Sequence, residues 1–401
     1  MKNNLIKNII RVLVVSVIVF SIFYFESKKP PRLLGSAPDV LVNYATTSAD
    51  SLADKTLSTT SSSANKISSS IVADRASVIV NKSSKYSKAK EIVQPAGFIN
   101  ADSVRLSDFT GKKVILIDFW TYSCINCIRT IPYLNAWYQK YKDLGLVIVG
   151  VHTPEFDFEK NYDNVAKAVK NFGIEYPVVL DSSYGTWNAY NNHYWPAEYL
   201  IDVDGFVIHS HFGEGNYDET EQAIQSALME KNKALGIKEN IPTGIVNLTN
   251  EISATPFLAR SPETYFGSAR NEYLGNGKRG FSGKQALNIP SVISGDILYL
   301  GGDWDFTDQY AENTGEATIV YKYNAKNVYF VANSENGVKI KITLDDAPIG
   351  ALAGKDVSSD GTVLIKENKL YDIIKGVDYG EHTLRIEIPN AGLQAFTFTF
   401  G

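Results

Sequence analysis

The residues best suited to chemistry are the two cysteines, Cys124 and Cys127, which are separated by two residues. They follow an apolar run at residues 113–120, typical of a strand buried on both faces, and precede a helical pattern at residues 125–142. The free N–H groups and the dipole of a helix N-terminus favour a thiolate at Cys124, the predicted nucleophile. Cys127, one turn later, can resolve a mixed disulfide. The spacing therefore predicts thiol–disulfide redox chemistry.

Other interpretations of the cysteine pair are inert buried thiols or half of a metal site. The chain has two cysteines in all, which excludes a four-thiolate metal site and a disulfide-stapled framework. Attachment of a c-type haem would need a histidine where the chain has Ile128, and the Thr-x-x-Cys spacing of Thr121 and Cys124 lacks the preceding proline of peroxidatic enzymes. We predict no metal and no cofactor, and expect ordinary strand histidines at His152, His209 and His211.

The elements that must position the cysteines form an alternating pattern of strands and helices between residues 96 and 232. Such alternation predicts an α/β sheet domain, with the cysteine pair between its first buried strand and its first helix. Asp204 and Gly205 form a two-residue turn signal between two strands, which predicts a hairpin. The other expected elements are strands at 146–151, 177–180, 197–202 and 206–212, and helices at 163–172, 186–190 and 218–229.

The C-terminal part has a different pattern, made of short alternating strands separated by turn clusters. It predicts an all-β sandwich or jelly roll over residues 252–401, behind a connector at 233–251. Three aromatic residues there, Tyr299, Trp304 and Tyr310, could stack on the rings of a glycan, although strand aromatics more often belong to a core. The expected strands lie at 316–323, 327–332, 338–344, 362–365, 382–388 and 394–400.

The first 95 residues resemble neither domain. Residues 12–25 form an uncharged apolar run. Extended back to residue 5, the stretch is long enough to cross a bilayer, with Lys7 and Arg11 in its first half. These features favour an uncleaved membrane anchor at 1–27 over a cleaved signal peptide. Residues 46–70 contain 14 serines and threonines among 25 residues, which predicts a flexible linker over 28–95. We expect a single-pass membrane protein whose bulk is extracytoplasmic. The net charge of −5 argues against a nucleic-acid partner.

Residues 117–127, Ile-Asp-Phe-Trp-Thr-Tyr-Ser-Cys-Ile-Asn-Cys, resemble the Asp-Phe-Trp…Cys-x-x-Cys signature of the thioredoxin superfamily. One branch is especially similar, the periplasmic thioredoxin-like domain of DipZ-type thiol–disulfide proteins. The branch carries a C-terminal β-sandwich that has been likened to carbohydrate-binding modules, and the resemblance spans residues 96–401. It rests on further motifs at residues 149–156, 187–190, 194–202, 211–215, 261–267 and 396–401.

The resemblance implies roles for individual residues. Cys124 would attack the substrate and Cys127 would resolve the intermediate, so that the two form the redox disulfide. Asp118, within a buried strand, would help to move the proton of Cys127, since a buried carboxylate has a raised pKa suited to a base near neutral pH. A cis-proline facing the disulfide is expected in this superfamily. Substrate contacts are accordingly expected at Trp120, Trp195 and the cis-proline, Pro196.

The resemblance also implies partners. Protein thiols and disulfides are the expected substrates, with the direction of electron flow and a role for apocytochrome thiols left open. DipZ-type proteins are fused to a multi-helix membrane electron carrier, whereas one anchor is predicted here, so a separate membrane electron donor is expected. The alternative function is a surface protein whose sandwich binds glycan or envelope polymer and whose α/β domain is a spacer. Two thiols at a helix start favour the enzyme.

Overall fold

The computed structural model describes residues 75–248 and 261–401. The predicted anchor and most of the predicted linker lie outside the described residues. Within the part that is described, no helix is both long enough and apolar enough to cross a membrane.

The α/β prediction is confirmed by a six-stranded sheet in the order β1-β4-β3-β2-β5-β6. Its three central strands β2, β3 and β4 are parallel, while β1, β5 and β6 pair antiparallel with their neighbours. The predicted hairpin is present as β5 and β6. The strands are β1 Gly97–Ile99, β2 Val114–Trp120, β3 Leu146–His152, β4 Val178–Leu180, β5 Ala197–Ile201 and β6 Val207–Phe212.

Strand β2 carries the site because both of its faces are buried. All seven of its residues are buried. Leu116 and Trp120 pack into one core, and Ile117 and Phe119 pack into the core on the other face of the sheet. Burial of this kind holds the end of the strand, and the cysteines that follow it, in a fixed position.

Helices cover the sheet and follow the predicted pattern closely. The helix after β2 begins at Ile125, as expected. The last helix is longer than predicted, and its C-cap residue is Gly236, whose φ of 68° suits a glycine at a helix C-terminus. We number them α1 (residues 75–85), α2 Ile125–Tyr141, α3 Tyr162–Asn171, α4 Gly185–Ala189 and α5 Tyr217–Leu235. Short 3-10 helices lie at Leu106–Asp108, Asp157–Lys160 and Gly350–Leu352.

Helix α1 corrects the predicted end of the linker, because residues 75–95 pack on the α/β domain. The Lys82 ammonium lies 2.5 Å from a carboxylate oxygen of Asp202 and 2.9 Å from one of Asp204, and it also contacts Glu230. The backbone N–H of Ala89 donates to the carbonyl of Gly205. Ion pairs, backbone hydrogen bonds and the packing of Ala89 and Ile92 on the sheet core therefore hold this segment on the α/β domain.

The all-β prediction for the C-terminal part is also confirmed. Hydrogen bonds join its strands into one nine-stranded antiparallel sheet around a single apolar core. The strands are β7 Thr264–Tyr265, β8 Gly283–Leu287, β9 Leu298–Phe306, β10 Ala311–Asn333, β11 Val338–Leu344, β12 Ala347–Pro348, β13 Thr362–Ile365, β14 Lys369–Ile388 and β15 Gln394–Phe400.

Two long strands make the sheet continuous. The predicted strands at 316–323 and 327–332 are parts of one strand, β10, which runs for 23 residues with register shifts where it pairs with β14. Strand β14 runs for 20 residues and includes the predicted strand at 382–388. Register shifts bend a strand without ending it, so the turn-like residues between the predicted strands lie inside continuous ones.

The α/β and all-β parts meet in a small apolar cluster. It consists of Ile125 and Phe156 from the first part and Val331, Leu370 and Phe396 from the second. Near this cluster an Arg129 nitrogen donates to Glu214 at 3.1 Å and another to the Tyr329 hydroxyl at 3.4 Å. Ile125 directly follows the first cysteine, so the interface reaches the redox motif.

Candidate active site

Cys124 lies at the junction of β2 and α2, as predicted. It is the N-cap residue of α2, with extended backbone angles of −82° and 118°. Its sulfur makes no capping hydrogen bond to the helix, and the residue is half-buried. The sulfur is therefore reachable from the surface, and it lies where the unpaired N–H groups of the first helical turn favour an anion.

Cys127 lies one turn further along and faces inward. It is 1% exposed and packs in the same core as Trp120 and Trp137. Both cysteines are free thiols, and the two side chains are hydrogen-bonded to each other. Burial raises the pKa of the Cys127 thiol, and the neighbouring Cys124 and Asp118 raise it further. One thiol is thus accessible and the other is protected and protonated.

The loop before β5 forms the wall opposite Cys124. The peptide bond between Trp195 and Pro196 is cis, as predicted. The carbonyl oxygen of Trp195 is 4.0 Å from the Cys124 sulfur. This loop is fixed from both sides, because the Trp195 indole N–H donates to the carbonyl of Thr153 at 3.0 Å and the carbonyl of Pro196 accepts from the N–H of Gly213 at 2.9 Å.

Two buried carboxylates lie beneath the cysteines. Asp118 is 1% exposed and stands directly opposite Glu198, 2% exposed, in the pairing of β2 with β5. Burial and the charge of Glu198 raise the pKa of Asp118, and burial raises the pKa of Glu198 to about 7. Sequence reasoning singled out Asp118 and missed Glu198. The sequence does mark Glu198, because it is an acid inside the otherwise apolar stretch Pro-Ala-Glu-Tyr-Leu-Ile.

A third buried carboxylate, Glu159, holds the loop that carries the cysteines. One of its oxygens accepts from the Ser123 hydroxyl at 2.6 Å and the Ser123 N–H at 3.2 Å. The other accepts from the N–H groups of Glu155 and Phe156 at 2.6 and 3.0 Å. Ser123 precedes Cys124, so Glu159 ties the redox motif to the loop after β3. This residue was also missed, because nothing in its local pattern marks it.

Cys124 opens into a cleft of about 420 Å³. The α/β part supplies the exposed residues His193 and Tyr194 on one side. The opposite wall comes from the all-β part, where the Tyr265 hydroxyl and the Arg270 guanidinium both donate to one oxygen of Glu155 at 2.8 Å. Residues of both parts of the chain therefore line the cleft over Cys124.

The structure corrects the expected substrate contact at Trp120. The side chain is fully buried and its ring packs edge-on against His152 at 5.0 Å, so it cannot touch a partner protein. His152 is itself buried, and burial lowers its pKa to about 3. Trp120 instead forms part of the floor under Cys127.

The structure corrects two of the three residues that were expected to be able to stack on a glycan. Trp304 is completely buried and Tyr299 is 7% exposed. Tyr310 packs on Phe396 with ring centroids 5.0 Å apart, at the boundary with the α/β part. An aromatic platform for a sugar needs an open ring face, which the buried Trp304 and Tyr299 do not offer.

Two family models match the chain. Residues 87–210 match the model described as AhpC/TSA family, and residues 261–401 match the model described as thioredoxin like C-terminal domain. The first match contains the cysteine pair, strand β2 with its neighbours β3 and β5, and the loop with the cis-proline.

Curated proteins and solved structures are also similar to parts of this chain. Protein DipZ of Mycobacterium tuberculosis is 40% identical over 290 residues, which cover 72% of this chain and 39% of the relative. The thiol-disulfide oxidoreductase ResA of Bacillus cereus is 32% identical over 128 residues, or 32% of this chain and 70% of the relative. A solved thioredoxin domain of a thiol-disulfide oxidoreductase from Bacteroides vulgatus overlaps 34% of this chain and 96% of its own, at 28% identity and a TM-score of 0.29.

Proposed function

The chain belongs to the thioredoxin-like thiol–disulfide oxidoreductases, and on that premise we propose that it exchanges disulfides with protein substrates through Cys124 and Cys127. It does so outside the cytoplasm, anchored to a membrane by residues 5–25. The matched residues span 39% of the length of DipZ.

The observation that carries the proposal is the asymmetry of the two thiols. Cys124 is open to a cleft at a helix N-terminus, whereas Cys127 is buried beneath it and hydrogen-bonded to it. An exchange reaction needs one sulfur that a partner can reach and a second that attacks only after the first is engaged. A structural pair of cysteines has no need of this difference.

The geometry supports a two-step reduction of a substrate disulfide. The Cys124 thiolate attacks one substrate sulfur, the substrate S–S bond breaks, and the other substrate sulfur leaves as a thiolate. Cys127 then loses its proton, attacks Cys124 and releases the second substrate thiolate, so that the Cys124–Cys127 disulfide carries the oxidation. The reverse sequence oxidises a dithiol. The Trp195 carbonyl, 4.0 Å from the Cys124 sulfur, offers an acceptor for the backbone of an extended substrate.

The membrane part of the proposal rests on the sequence. Residues 5–25 have the length and apolar character of a span, and the serine- and threonine-rich residues 46–70 separate it from the packed segment that begins at residue 75. A dithiol enzyme outside the cytoplasm needs a source or sink of electrons, for which we propose a separate membrane protein.

Turnover of a model disulfide tests the chemistry. The full chain in detergent, with a thiol reductant present, should reduce insulin, whereas Cys124→Ser should have no activity above the uncatalysed rate. Cys127→Ser should instead accumulate a mixed disulfide on Cys124. Equal turnover by wild type and Cys124→Ser would remove the cysteine pair from the reaction.

Thiol labelling in cells tests the location. The chain has two cysteines in all, so a membrane-impermeant maleimide labels it only at the site. We expect labelling of the reduced chain in intact cells and none of the Cys124→Ser, Cys127→Ser double variant. Val15→Arg combined with Ile18→Arg should release the chain from the membrane fraction. Labelling that requires cell lysis would place the site in the cytoplasm and refute this part.

A further inference from the structure

A row of titratable side chains crosses the sheet directly behind the cysteines. Asp118 of β2 pairs with Glu198 of β5, and Glu198 pairs with His211 of β6. Opposing residues in antiparallel strands have Cβ atoms about 4.5–5.5 Å apart on the same face. The row therefore leads from beneath Cys127 to the edge strand of the sheet.

The inner members of this row have unused hydrogen-bonding capacity. Among the described residues, Asp118 Oδ1, Glu198 Oε2 and the Tyr176 hydroxyl are buried and have no hydrogen-bond partner. Buried polar atoms usually have partners, and exceptions call for an explanation. The two carboxyl groups face each other in the strand pairing, and the charge of Glu198 opposes ionisation of Asp118, so the pair is suited to holding one exchangeable proton.

Helix α5 supplies the outer connection. The Thr220 hydroxyl, fully buried, is hydrogen-bonded to Glu198. The same hydroxyl lies 3.5 Å from Nε2 of His209, which is half-buried on β6. A hydroxyl donates and accepts at the same time, so Thr220 can pass a proton from Glu198 to the imidazole.

We propose that Glu198, Thr220 and His209 form a proton relay that carries the proton of Cys127 from Asp118 to the solvent during the resolving step. The inference rests on the proposed function of the cysteine pair and adds residues to which no role has been assigned. Asp118 is the group that takes the proton from Cys127, and Glu198, Thr220 and His209 act through it.

The step balances without any further reactant. The Cys127 S–H bond breaks and its proton goes to the Asp118 carboxylate, while the Cys127 electron pair forms the S–S bond to Cys124. The bond between Cys124 and the substrate sulfur breaks, and that sulfur leaves with its electron pair as a thiolate. The proton then moves to Glu198, through the Thr220 hydroxyl to His209, and to bulk water. Without an exit, Asp118 stays protonated in a closed pocket and cannot act again.

The charges around the relay suit this direction. Glu198 faces Asp118, Thr220 and His211, with Tyr176 and Tyr217 also near enough to sense its charge. His209 faces Thr220, Glu219 and His211, and burial lowers its pKa, so the imidazole is neutral near pH 7 and readily releases to water a proton that it receives.

Stopped-flow reaction of the reduced full chain with an aromatic disulfide that releases a coloured thiolate tests the relay. The first coloured thiolate leaves when Cys124 attacks, and the second leaves when Cys127 resolves the adduct. We expect Glu198→Gln to slow the second phase about tenfold or more near pH 7, within the range of general acid–base effects, and to change its pH profile. The first phase should be unchanged.

Further variants separate a relay from a structural role. Thr220→Val should slow the second phase, Thr220→Ser should restore it, and added imidazole should speed the slowed phase of His209→Asn. The matched control is Glu221→Gln, since Glu221 is a buried acid next to Thr220 that bonds Tyr141 and Lys140 instead.

The outcomes distinguish the two levels of inference. If wild type gives no second phase, the proposed function itself fails. If wild type gives two phases and Glu198→Gln has the same second-phase rates and pH profile as wild type, the relay is refuted. If Glu198→Gln does not fold, the two Thr220 variants provide the test. Equal rates of the second phase in Thr220→Val and Thr220→Ser would refute the proton relay.

Discussion

Replacing Phe396 with alanine should weaken the coupling between the two parts of the chain. Phe396 is 3% exposed, and its ring centroid lies 5.1 Å from that of Phe156 and 4.9 Å from that of Phe158. Those two residues belong to the α/β part, whereas Phe396 lies on β15 of the all-β part. The substitution therefore empties the centre of the contact between the two parts.

The expected cost is about 3–5 kcal/mol, the usual range for a buried phenylalanine replaced by alanine. Single domains are stable by about 5–15 kcal/mol, so the loss is a large fraction of what either part has. Lys167 with Glu367 is an exposed contact at the interface, and exposed ion pairs contribute about 0–1 kcal/mol each. The half-buried contacts of Arg129 with Tyr329 and of Arg270 with Glu155 remain in the variant, so we expect the two parts to be weakened in their coupling and not to separate fully.

Urea unfolding followed by two probes measures the effect. Tryptophan fluorescence reports the α/β part, which holds four of the five tryptophans. Peptide-resolved hydrogen exchange over β11 reports the all-β part. In wild type we expect the two midpoints to coincide, and in Phe396→Ala we expect them to fall and to separate.

Phe398→Ala is the matched control. Phe398 is a buried phenylalanine on the same strand, but its ring lies 4.8 Å from Phe330, inside the all-β core. Its midpoints should fall together, because the contact between the parts is intact. If Phe396→Ala also keeps coincident midpoints, the aromatic cluster does not couple the two parts and our account of the interface is wrong.

Three more predictions follow from buried charges. Glu159→Gln should destabilise the chain by about 3 kcal/mol in urea unfolding, because an amide cannot accept at both ends from Ser123 and the loop N–H groups. The pKa of Glu198 in the folded chain is raised to about 7, so between pH 4.5 and pH 7 the folded wild type holds a proton that the unfolded chain has lost. The stability of the wild type therefore falls as the pH rises through this window. Glu198→Gln lacks this titration, so its unfolding free energy should rise by about 3 kcal/mol relative to that of wild type from pH 4.5 to pH 7. Lys82→Ala should cost about 2–3 kcal/mol and speed tryptic cleavage within residues 75–90, since Asp202 loses its ammonium partner.

Most elements of the α/β part were predictable because their periodicity is strong. The apolar run at 113–120 became β2, and the helix expected from residue 125 begins there. The spacing of the cysteine pair and the position of Asp118 within an apolar run were likewise visible in the local sequence. The cis-proline was expected from the resemblance to the thioredoxin superfamily and not from the residues around it.

The interface was not predictable, and Phe396 shows why. The closing sequence Phe-Thr-Phe-Thr-Phe alternates, which predicts that Phe396 and Phe398 share a face. In the pairing of β15 with β10, Val331 lies opposite Thr397 but Ala332 lies opposite Ala395, so Phe396 is an extra residue in a bulge. A bulge re-aims a side chain, and here it directs Phe396 to the other part of the chain. Periodicity carries no information about such a shift.

Glu198 and Trp304 illustrate two other limits. A glutamate in an apolar strand is visible in sequence, but its partner Asp118 lies 80 positions away, and only the strand pairing brings the two together. Trp304 lies in an alternating strand where either face could be outward. Its burial depends on how β9 pairs with β8 and β10, a long-range outcome.

The all-β part contacts the segment that carries the cysteine pair. Ile125, the residue after the nucleophile, packs in the same cluster as Phe396 and Leu370. Arg270 and Tyr265 close the cleft on that side through Glu155. The cleft is open next to the exposed residues His193 and Tyr194. On the proposed function, we expect a substrate disulfide on a protruding loop or an extended segment to reach Cys124 more readily than one on a compact protein surface, because residues of both parts of the chain wall the cleft.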